Sequence, residues 1–210
     1  MVHKDRPDAP PHPAGRSHHQ DPEPLHQHRR LAMLRRVIND DSLPLRARIA
    51  AALVLLYAQP VSRTVRLTID DVTDDATTVT VQLGDPPSPL PEPVAELMRA
   101  HLLSRLHLPY ASSRSSRWLF PGRQPRQPMN PVSLQVHLCE IGVPPQRGRA
   151  SAIRQLVLQA PAPVIAKALG YHDETTTRLV AGAGGTWSRY ARRPQSMIAT
   201  GLQSHLSPRN

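Results

Sequence analysis

Polar side chains that could contact a phosphate follow a glycine turn in the stretch 160–180. This stretch is typical of a short apolar helix, a turn at Gly170 and a second helix that begins with polar residues, which is the order of a helix-turn-helix unit. His172 is then either a phosphate donor or a residue that caps the turn. Arg178, beside Thr175–Thr177, either contacts a DNA groove or lies on a solvated face. The pattern predicts contact with nucleic acid, and the alternative is an ordinary corner between two helices.

Arg149 is a second candidate for a phosphate contact. Periodicity predicts a helix over Arg149–Gln159, which places this guanidinium at a helix N-terminus. A cation is unfavourable there unless an anion is bound beside it, because the N-terminus already carries partial positive charge. We therefore interpret Arg149 as either a phosphate contact or a solvated arginine at the end of a helix.

The charge pattern fits a polyanionic partner. The chain has 26 Lys and Arg against 16 Asp and Glu, a net charge of +10 and a pI of about 11.1. Arginine dominates residues 29–66 and 99–154, whereas residues 67–97 hold seven acids and no base. A GC-rich coding bias would also raise the arginine content, but it would not separate the charges in this way. The sequence predicts basic surfaces with one acidic element between them, and attraction to DNA.

The elements that must position these residues are mainly helical. Helical spacing of apolar residues covers Arg30–Ile38, and a second helix ends at Tyr57. Asp41 and Ser42 are the candidates for the N-cap of this second helix, with Pro44 in its first turn. Further helices are predicted over Pro93–Leu106, from Asn130 to Gly142, over Arg149–Gln159 and over Thr186–Ile198.

Two stretches alternate apolar and polar residues with the period of a strand. They are Thr64–Val72, with Ile69 among its inward residues, and Thr77–Leu83, with a turn at Asp74 between them. The sequence predicts a β-hairpin over 64–83. The expected fold class is mainly α with a small antiparallel β-hairpin or sheet.

An ordered domain over residues 29–200 is expected between two disordered tails. Residues 1–28 are rich in Pro, His, Asp and Gln, and residues 201–210 form the second tail. The histidines of the first tail either capture a metal ion or belong to solvated coil. The lone Cys139 is expected to be a small buried hydrophobe. With no signal peptide and no apolar stretch long enough for a bilayer, we expect a cytosolic protein.

Four segments, in their order along the chain, resemble the catalytic domain of the tyrosine recombinase, or phage integrase, family. The likeness runs from about Leu43 to Tyr190 and implies the fold of that family and a DNA-associated role in recombination or integration. The segments are Leu55-Leu-Tyr followed by Leu67-Thr-Ile-Asp-Asp-Val, Trp118-Leu-Phe-Pro, Glu140-Ile-Gly-Val-Pro, and Leu169-Gly170.

The resemblance implies a site in which two arginines, a lysine and two histidine-type donors hold a DNA phosphate while a tyrosine attacks it. Fixed donors are needed because the transition state gathers negative charge on the phosphate. Arg149 matches the second arginine, and Gln146 stands in the place of the first histidine. The family's Leu-Gly-His becomes Leu-Gly-Tyr171 here, with His172 one residue late.

Other positions of this implied site are not matched. The position of the first arginine falls on Pro60, with Arg63 or Arg66 as displaced substitutes. The family's hairpin lysine has no counterpart, because residues 5–166 contain no lysine. The nucleophilic tyrosine is expected at Val180, whereas Tyr190 lies ten residues further along.

These departures indicate a degenerate active site, and any surviving catalysis would use Arg149, His172 and Tyr190. The family also carries a separate N-terminal helical domain that clamps DNA, and residues 1–28 do not resemble it. We expect DNA as the partner, together with a recombinase partner or self-association, and no cofactor, metal centre or membrane.

Two alternatives remain beside a recombinase-like protein: a non-enzymatic helix-turn-helix transcriptional regulator, and a decayed gene product with no retained activity. The residues expected to contact DNA are Arg63, Arg66, Arg147, Arg149, Arg154, Lys167, Arg178, Arg189, Arg192 and Arg193.

Overall fold

The computed structural model describes residues 25–75, 77–107 and 116–171, and this part of the chain is mainly helical. No helix in these ranges is long and apolar enough to cross a membrane. The helices are α1 (Gln27–Asn39), α2 (Leu45–Tyr57), α3 (Val61–Thr64), α4 (Glu92–Leu106), α5 (Pro131–Glu140), α6 (Pro145–Gln159) and α7 (Ala162–Leu169).

The helix α2 forms the centre of the described core because, apart from Arg46 and Arg48, it is apolar on every side. All residues from Ala47 to Leu55 are buried, and α1, α4, α5 and α6 pack around them. A helix that is apolar all round must be covered in this way. Gly148 lets α6 come close, since a Cβ atom there would lie 2.8 Å from Leu55 Cδ2. As predicted, α2 ends at Tyr57, and Ala58 follows with a left-handed φ of 54°.

The predicted N-cap of α2 is wrong. The helix begins directly after Pro44, and no side chain caps it. Asp41 instead forms an ion pair of 2.7 Å with Arg48, and Ser42 donates to the carboxylate of Asp40. These contacts stabilise the turn between α1 and α2. The side chains that were expected to cap α2 therefore bind Arg48 and Asp40 and not the backbone N–H groups at the start of the helix.

The sheet is small and antiparallel, with three strands in the order of the sequence. The strands are β1 (Val72–Asp74), β2 (Val79–Val81) and β3 (Ser88–Pro89). Val81 in β2 pairs with Val72 on one side and with Ser88 on the other. The two β2 valines are buried, so the sheet adds its middle strand to the core.

The predicted first strand is wrong over residues 64–71. Val61–Thr64 is a helix, and Ile69–Asp71 forms a short 3-10 helix before β1 begins. Thr68 and Asp71 cap this 3-10 turn reciprocally, and the backbone N–H of Thr68 donates to Asp71 Oδ2 at 2.7 Å. Ile69, expected to face inward, is 40% exposed. The local capping box outweighs the alternating pattern here.

Three arginines, Arg30, Arg48 and Arg105, are buried and donate to the backbone. Arg48 donates through Nε to the carbonyl of Val37 at 2.8 Å, near the end of α1. Arg30 and Arg105 each donate to a backbone carbonyl as well. A guanidinium suits this role because it has five donors in a fixed plane. Part of the positive charge therefore lies inside the protein.

Two further expectations are corrected. Gln27 and His28 already belong to α1, so the predicted tail over 1–28 extends too far. Cys139 is exposed, because the face of α5 that enters the core is the one that carries Leu134 and Leu138.

Candidate nucleic-acid interface

Arg63 and Arg149, far apart in the sequence, meet at the ring of Tyr171. Arg63 comes from α3, Arg149 from α6, and Tyr171 from the turn after α7. The guanidinium carbon atoms lie 6.0 Å and 5.3 Å from the ring centroid, respectively. Both distances are those of cation–π contacts. Two of the arginines predicted to contact DNA are thus brought together around one aromatic side chain.

One hydrogen bond to the backbone, made by its Nε group, holds the side chain of Arg149. Its Nε donates to the carbonyl of Ala58 at 2.9 Å, and the hydroxyl of Tyr171 donates to the same oxygen. The two Nη groups of Arg149 donate to no backbone carbonyl within the described ranges, although the guanidinium also hydrogen-bonds the side chain of Tyr171, and Arg149 is partly exposed. These two groups form the edge of the guanidinium that can bind an oxyanion in a bidentate way.

The predicted position of Arg149 at a helix start is wrong. The helix α6 begins at Pro145, so Arg149 lies in its second turn. Gln146 and Arg147 occupy the first turn and are exposed. The partial positive charge of the helix N-terminus therefore does not bear on Arg149, whose availability for a ligand depends on its own hydrogen bonds instead.

Arg63 is held more tightly than Arg149, by three backbone carbonyls. Its Nη1 donates to Leu169 at 2.8 Å and to Gly170 at 2.7 Å, and its Nη2 donates to Leu83 at 2.9 Å. Leu169 and Gly170 lie at the C-terminal end of α7, where carbonyl groups have no partner within the helix. The charge of Arg63 thus faces the negative end of the α7 dipole.

Tyr171 is a neutral phenol in this arrangement. Burial raises its pKa above the ordinary value, and the neighbouring Arg149 and Arg63 offset only part of that increase. Its hydroxyl proton is donated to Ala58. A tyrosine attacks a phosphate only after its proton is removed. The raised pKa and the hydrogen bond to Ala58 both keep the proton on Tyr171, which opposes a nucleophilic role in this arrangement.

The other predicted contacts divide into three groups. Arg66, Arg147 and Arg154 are exposed, and the last two lie two turns apart on one face of α6. Lys167 forms an ion pair of 3.0 Å with Asp85, and both side chains are largely exposed. The remaining predicted residues lie outside the described ranges; they are His172, Arg178, Arg189, Tyr190, Arg192 and Arg193.

Within the described ranges, the acidic element (residues 67–97) forms ion pairs with Arg99 and Lys167. Arg99 binds Asp74 at 3.0 Å and Glu92 at 2.8 Å, which ties α4 to β1. In the described part of the chain, no ion pair joins the acids of residues 67–97 to Arg63 or Arg149. These acids therefore do not neutralise the positive charge of the two arginines beside Tyr171.

Sequence reasoning missed Tyr171 as the centre of this cluster. Its position after Leu169-Gly170 marked it as a replacement for histidine, but nothing in the spacing indicated two guanidinium groups around it. The contacts come from three separate segments, and only the fold brings them together.

The described elements define a mainly helical fold with a small three-stranded antiparallel sheet, as predicted, and solved recombinase structures share this fold. No protein-family model matches the chain, and no curated protein matches it in sequence.

Among solved structures, the XerA recombinase matches with a TM-score of 0.58 and 17% identity, over 82% of this chain and 66% of that one. The XerH site-specific recombinase bound to a palindromic difH substrate, a post-cleavage complex, matches with a TM-score of 0.58, 16% identity, and coverage of 82% and 53%. The pre-cleavage complex of XerH with difH matches with a TM-score of 0.56 and 17% identity, over 76% of this chain and 50% of that one. The chain thus spans between half and two thirds of these recombinases. At such low identity, the likeness establishes the fold.

Proposed function

We propose that this protein binds DNA through the arginines around Tyr171, takes part in DNA recombination or integration, and does not itself transfer strands. The observation that carries the proposal is the convergence of Arg63 and Arg149 on Tyr171. The XerH recombinases of the same fold are solved with their difH DNA substrates, which supports a DNA-associated role.

The electrostatics of the cluster favour an anion. Two guanidinium groups lie within 6.0 Å of one ring centroid, and none of the contacts made by Arg63, Arg149 or Tyr171 within the described ranges is with a carboxylate. Like charges held around one ring repel each other, and a bound phosphate would offset this repulsion. The Nη groups of Arg149 are the donors best placed to contact it.

The residues at three positions implied by the resemblance argue against strand transfer. Pro60, Gln146 and Tyr171 stand where the family has an arginine and two histidines. Loss of a single donor to the developing charge typically costs about 10²–10³ in rate. A site without three such donors has little catalysis left, even if a tyrosine from residues 172–210 reaches the phosphate.

Substitution of Arg149 tests the DNA-binding part of the proposal. Arg149→Gln should weaken binding to a fluorescein-labelled duplex of mixed sequence by about tenfold, because one phosphate contact is lost. The slope of log K against log salt should also become shallower by about one. Arg123→Gln, which removes the same charge from an exposed position, is the control. Equal binding by the Arg149 variant and the wild type would rule out this site.

A nicked suicide substrate tests the absence of strand transfer. We expect no covalent adduct between the protein and the DNA after electrophoresis under denaturing conditions. An adduct that forms in the wild type and disappears in Tyr190→Phe would show that the chemistry survives and that Tyr190 is the nucleophile.

A further inference from the structure

The turn after α7 and the turn after β2 are fitted closely against each other. Gly170 ends α7 with a φ of +65°, and the N–H of Tyr171 reaches back to the carbonyl of Ala166 at 2.8 Å, as in a Schellman motif. The opposing turn contains Gly84, where a Cβ atom would lie 2.1 Å from the carbonyl oxygen of Lys167. Only a glycine permits this approach of two backbones.

Donors from outside α7 then satisfy its last carbonyl groups. The N–H of Asp85 donates to Lys167 at 2.9 Å, and the side-chain amide of Gln59 donates to Leu169 at 3.2 Å. Free carbonyls at a helix end need such partners, because leaving a buried one unpaired is costly. The end of α7 is therefore fixed by tertiary contacts as well as by its own turn.

Arg63 is the side chain that joins the two turns. It donates to Leu83 in the turn after β2 and to Leu169 and Gly170 at the end of α7. Three of its five N–H bonds are thereby used, and the planar fork holds all three acceptors at once, which a lysine ammonium cannot do in the same geometry.

We infer that Arg63 is a positioning residue, which fixes the turn after α7 and, through Tyr171 in that turn, orients Arg149 toward phosphate. The inference rests on the proposed DNA-binding function. Few contacts separate Arg63 from Arg149. Arg63 donates to Gly170, and Tyr171 is the next residue. The ring of Tyr171 contacts Arg149, and Tyr171 and Arg149 donate to the same carbonyl of Ala58. The phosphate contact itself then belongs to Arg149.

A double-mutant cycle separates a positioning role from a direct contact. If Arg63 acts through Arg149, Arg63→Gln should weaken DNA binding, and Arg63→Gln with Arg149→Gln together should be no weaker than Arg149→Gln alone. If each arginine contacts its own phosphate, the two losses should multiply, and the salt slope should fall by about two. Additive losses, or an Arg63→Gln variant that binds as the wild type does, would overturn the inference.

Amide hydrogen exchange supplies a readout that does not depend on DNA. Arg63→Gln should raise exchange at the amides of Asp85 and Tyr171 by about tenfold or more, because the turns separate more easily. Arg63→Lys should restore part of the protection and would serve as the test variant if Arg63→Gln does not fold. Arg66→Gln, with the same loss of charge at an exposed position, should leave both amides unchanged.

The two measurements test the contact between the turns and the proposed function separately. Unchanged exchange in both Arg63 variants would refute the tie between the turns, whatever the DNA measurements show. Increased exchange with no effect of Arg149→Gln on DNA would keep the tie and refute the proposed function.

Discussion

The arginines of this protein differ in how many of their N–H groups donate hydrogen bonds to other residues of the protein. Arg48 is buried and donates to two backbone carbonyls and to Asp41. Arg63 gives three bonds to carbonyls, whereas Arg149 gives only one. Net charge counts these side chains equally, but only the donors that remain can bind a ligand. The distinction is invisible in the sequence because it depends on distant carbonyl groups.

The buried arginines give the first prediction. Arg105 is buried, and its Nε and Nη1 have no hydrogen-bond partner among the described residues. Arg105→Met removes a desolvated cation, keeps most of the volume and, within the described ranges, loses only the bond to the carbonyl of Ser116, so the free energy of unfolding should rise by about 1 kcal/mol. Arg48→Met, the matched control, removes donors from buried carbonyls and should lower it by about 3 kcal/mol. Both are measured by urea unfolding, and a strongly destabilised Arg105→Met would contradict the argument.

The second prediction concerns the two parts of Tyr171. Tyr171→Phe loses the hydroxyl bond to Ala58 and should cost about 1 kcal/mol. Tyr171→Leu also loses the ring between the guanidinium groups and should cost about 1–2 kcal/mol more. DNA binding should survive in the Phe variant and weaken in the Leu variant. Equal stability of the two variants, measured by urea unfolding, would show that the ring contributes nothing beyond its packing.

At the scale of helices and strands, the sequence predicted the regular elements well and the irregular ones badly. Helix α4 (Glu92–Leu106) and the start of α5 follow the prediction closely, and Asn130 accepts from the N–H of Val132 at 2.8 Å as an N-cap should. The strand predicted over residues 64–71 is wrong. The apolar and polar residues alternate there, but the chain forms the end of α3 and a capped 3-10 turn before β1. The cluster around Tyr171 could not be foreseen, since its partners belong to three segments.

The junction of the two turns gives a third prediction. Gly84→Ala places a Cβ atom 2.1 Å from the carbonyl oxygen of Lys167 and 2.4 Å from the nitrogen of Gly170. Backbone must move to relieve this overlap, so the free energy of unfolding should fall by about 2–3 kcal/mol. Pro87→Ala, an exposed change in the same loop, is the control. Circular dichroism during urea unfolding measures both, and a Gly84→Ala protein as stable as the wild type would show that the turns separate at little cost.

The fit between α4 and the segment after it gives a prediction about pH. His101 is buried, and its Nε2 lies 2.9 Å from the carbonyl of Leu119. Burial lowers its pKa below the ordinary 6.5, the hydrogen bond to Leu119 opposes this, and the charges of Arg105 and Arg46 lower it further. The unfolded chain therefore binds a proton at a higher pH than the folded protein does.

Because of this difference, His101 makes its full contribution to stability above about pH 6.5 and loses it as the pH falls toward its folded-state pKa. The free energy of unfolding should decrease between pH 7 and pH 5, within the range of about pH 5–8 where histidine titrates. The decrease should be smaller in His101→Gln. The exposed His107→Gln is the control, and a His101→Gln protein with the same pH dependence as the wild type would contradict the assignment.

At the scale of the whole molecule, the positive charge divides into an internal part and a surface part. Arg30, Arg48 and Arg105 are buried, and Arg99 and Lys167 are paired with acids of residues 67–97. The attraction for DNA must therefore come from fewer basic residues than the 26 Lys and Arg of the chain. Among the described arginines that were predicted to contact DNA, Arg66, Arg147 and Arg154 are exposed at the surface and Arg149 is partly exposed.

This division predicts how steeply DNA binding depends on salt. If Arg66, Arg147, Arg149 and Arg154 each neutralise one phosphate, the slope of log K against log salt is about −3.6, so binding weakens by about a hundredfold between roughly 50 and 200 mM salt. Arg149→Gln should reduce the slope to about −2.7. Fluorescence anisotropy over this range measures both values. A slope near −8 to −9 would mean that most of the net charge contacts DNA after all, and no binding at the lowest salt would favour a gene product without retained activity.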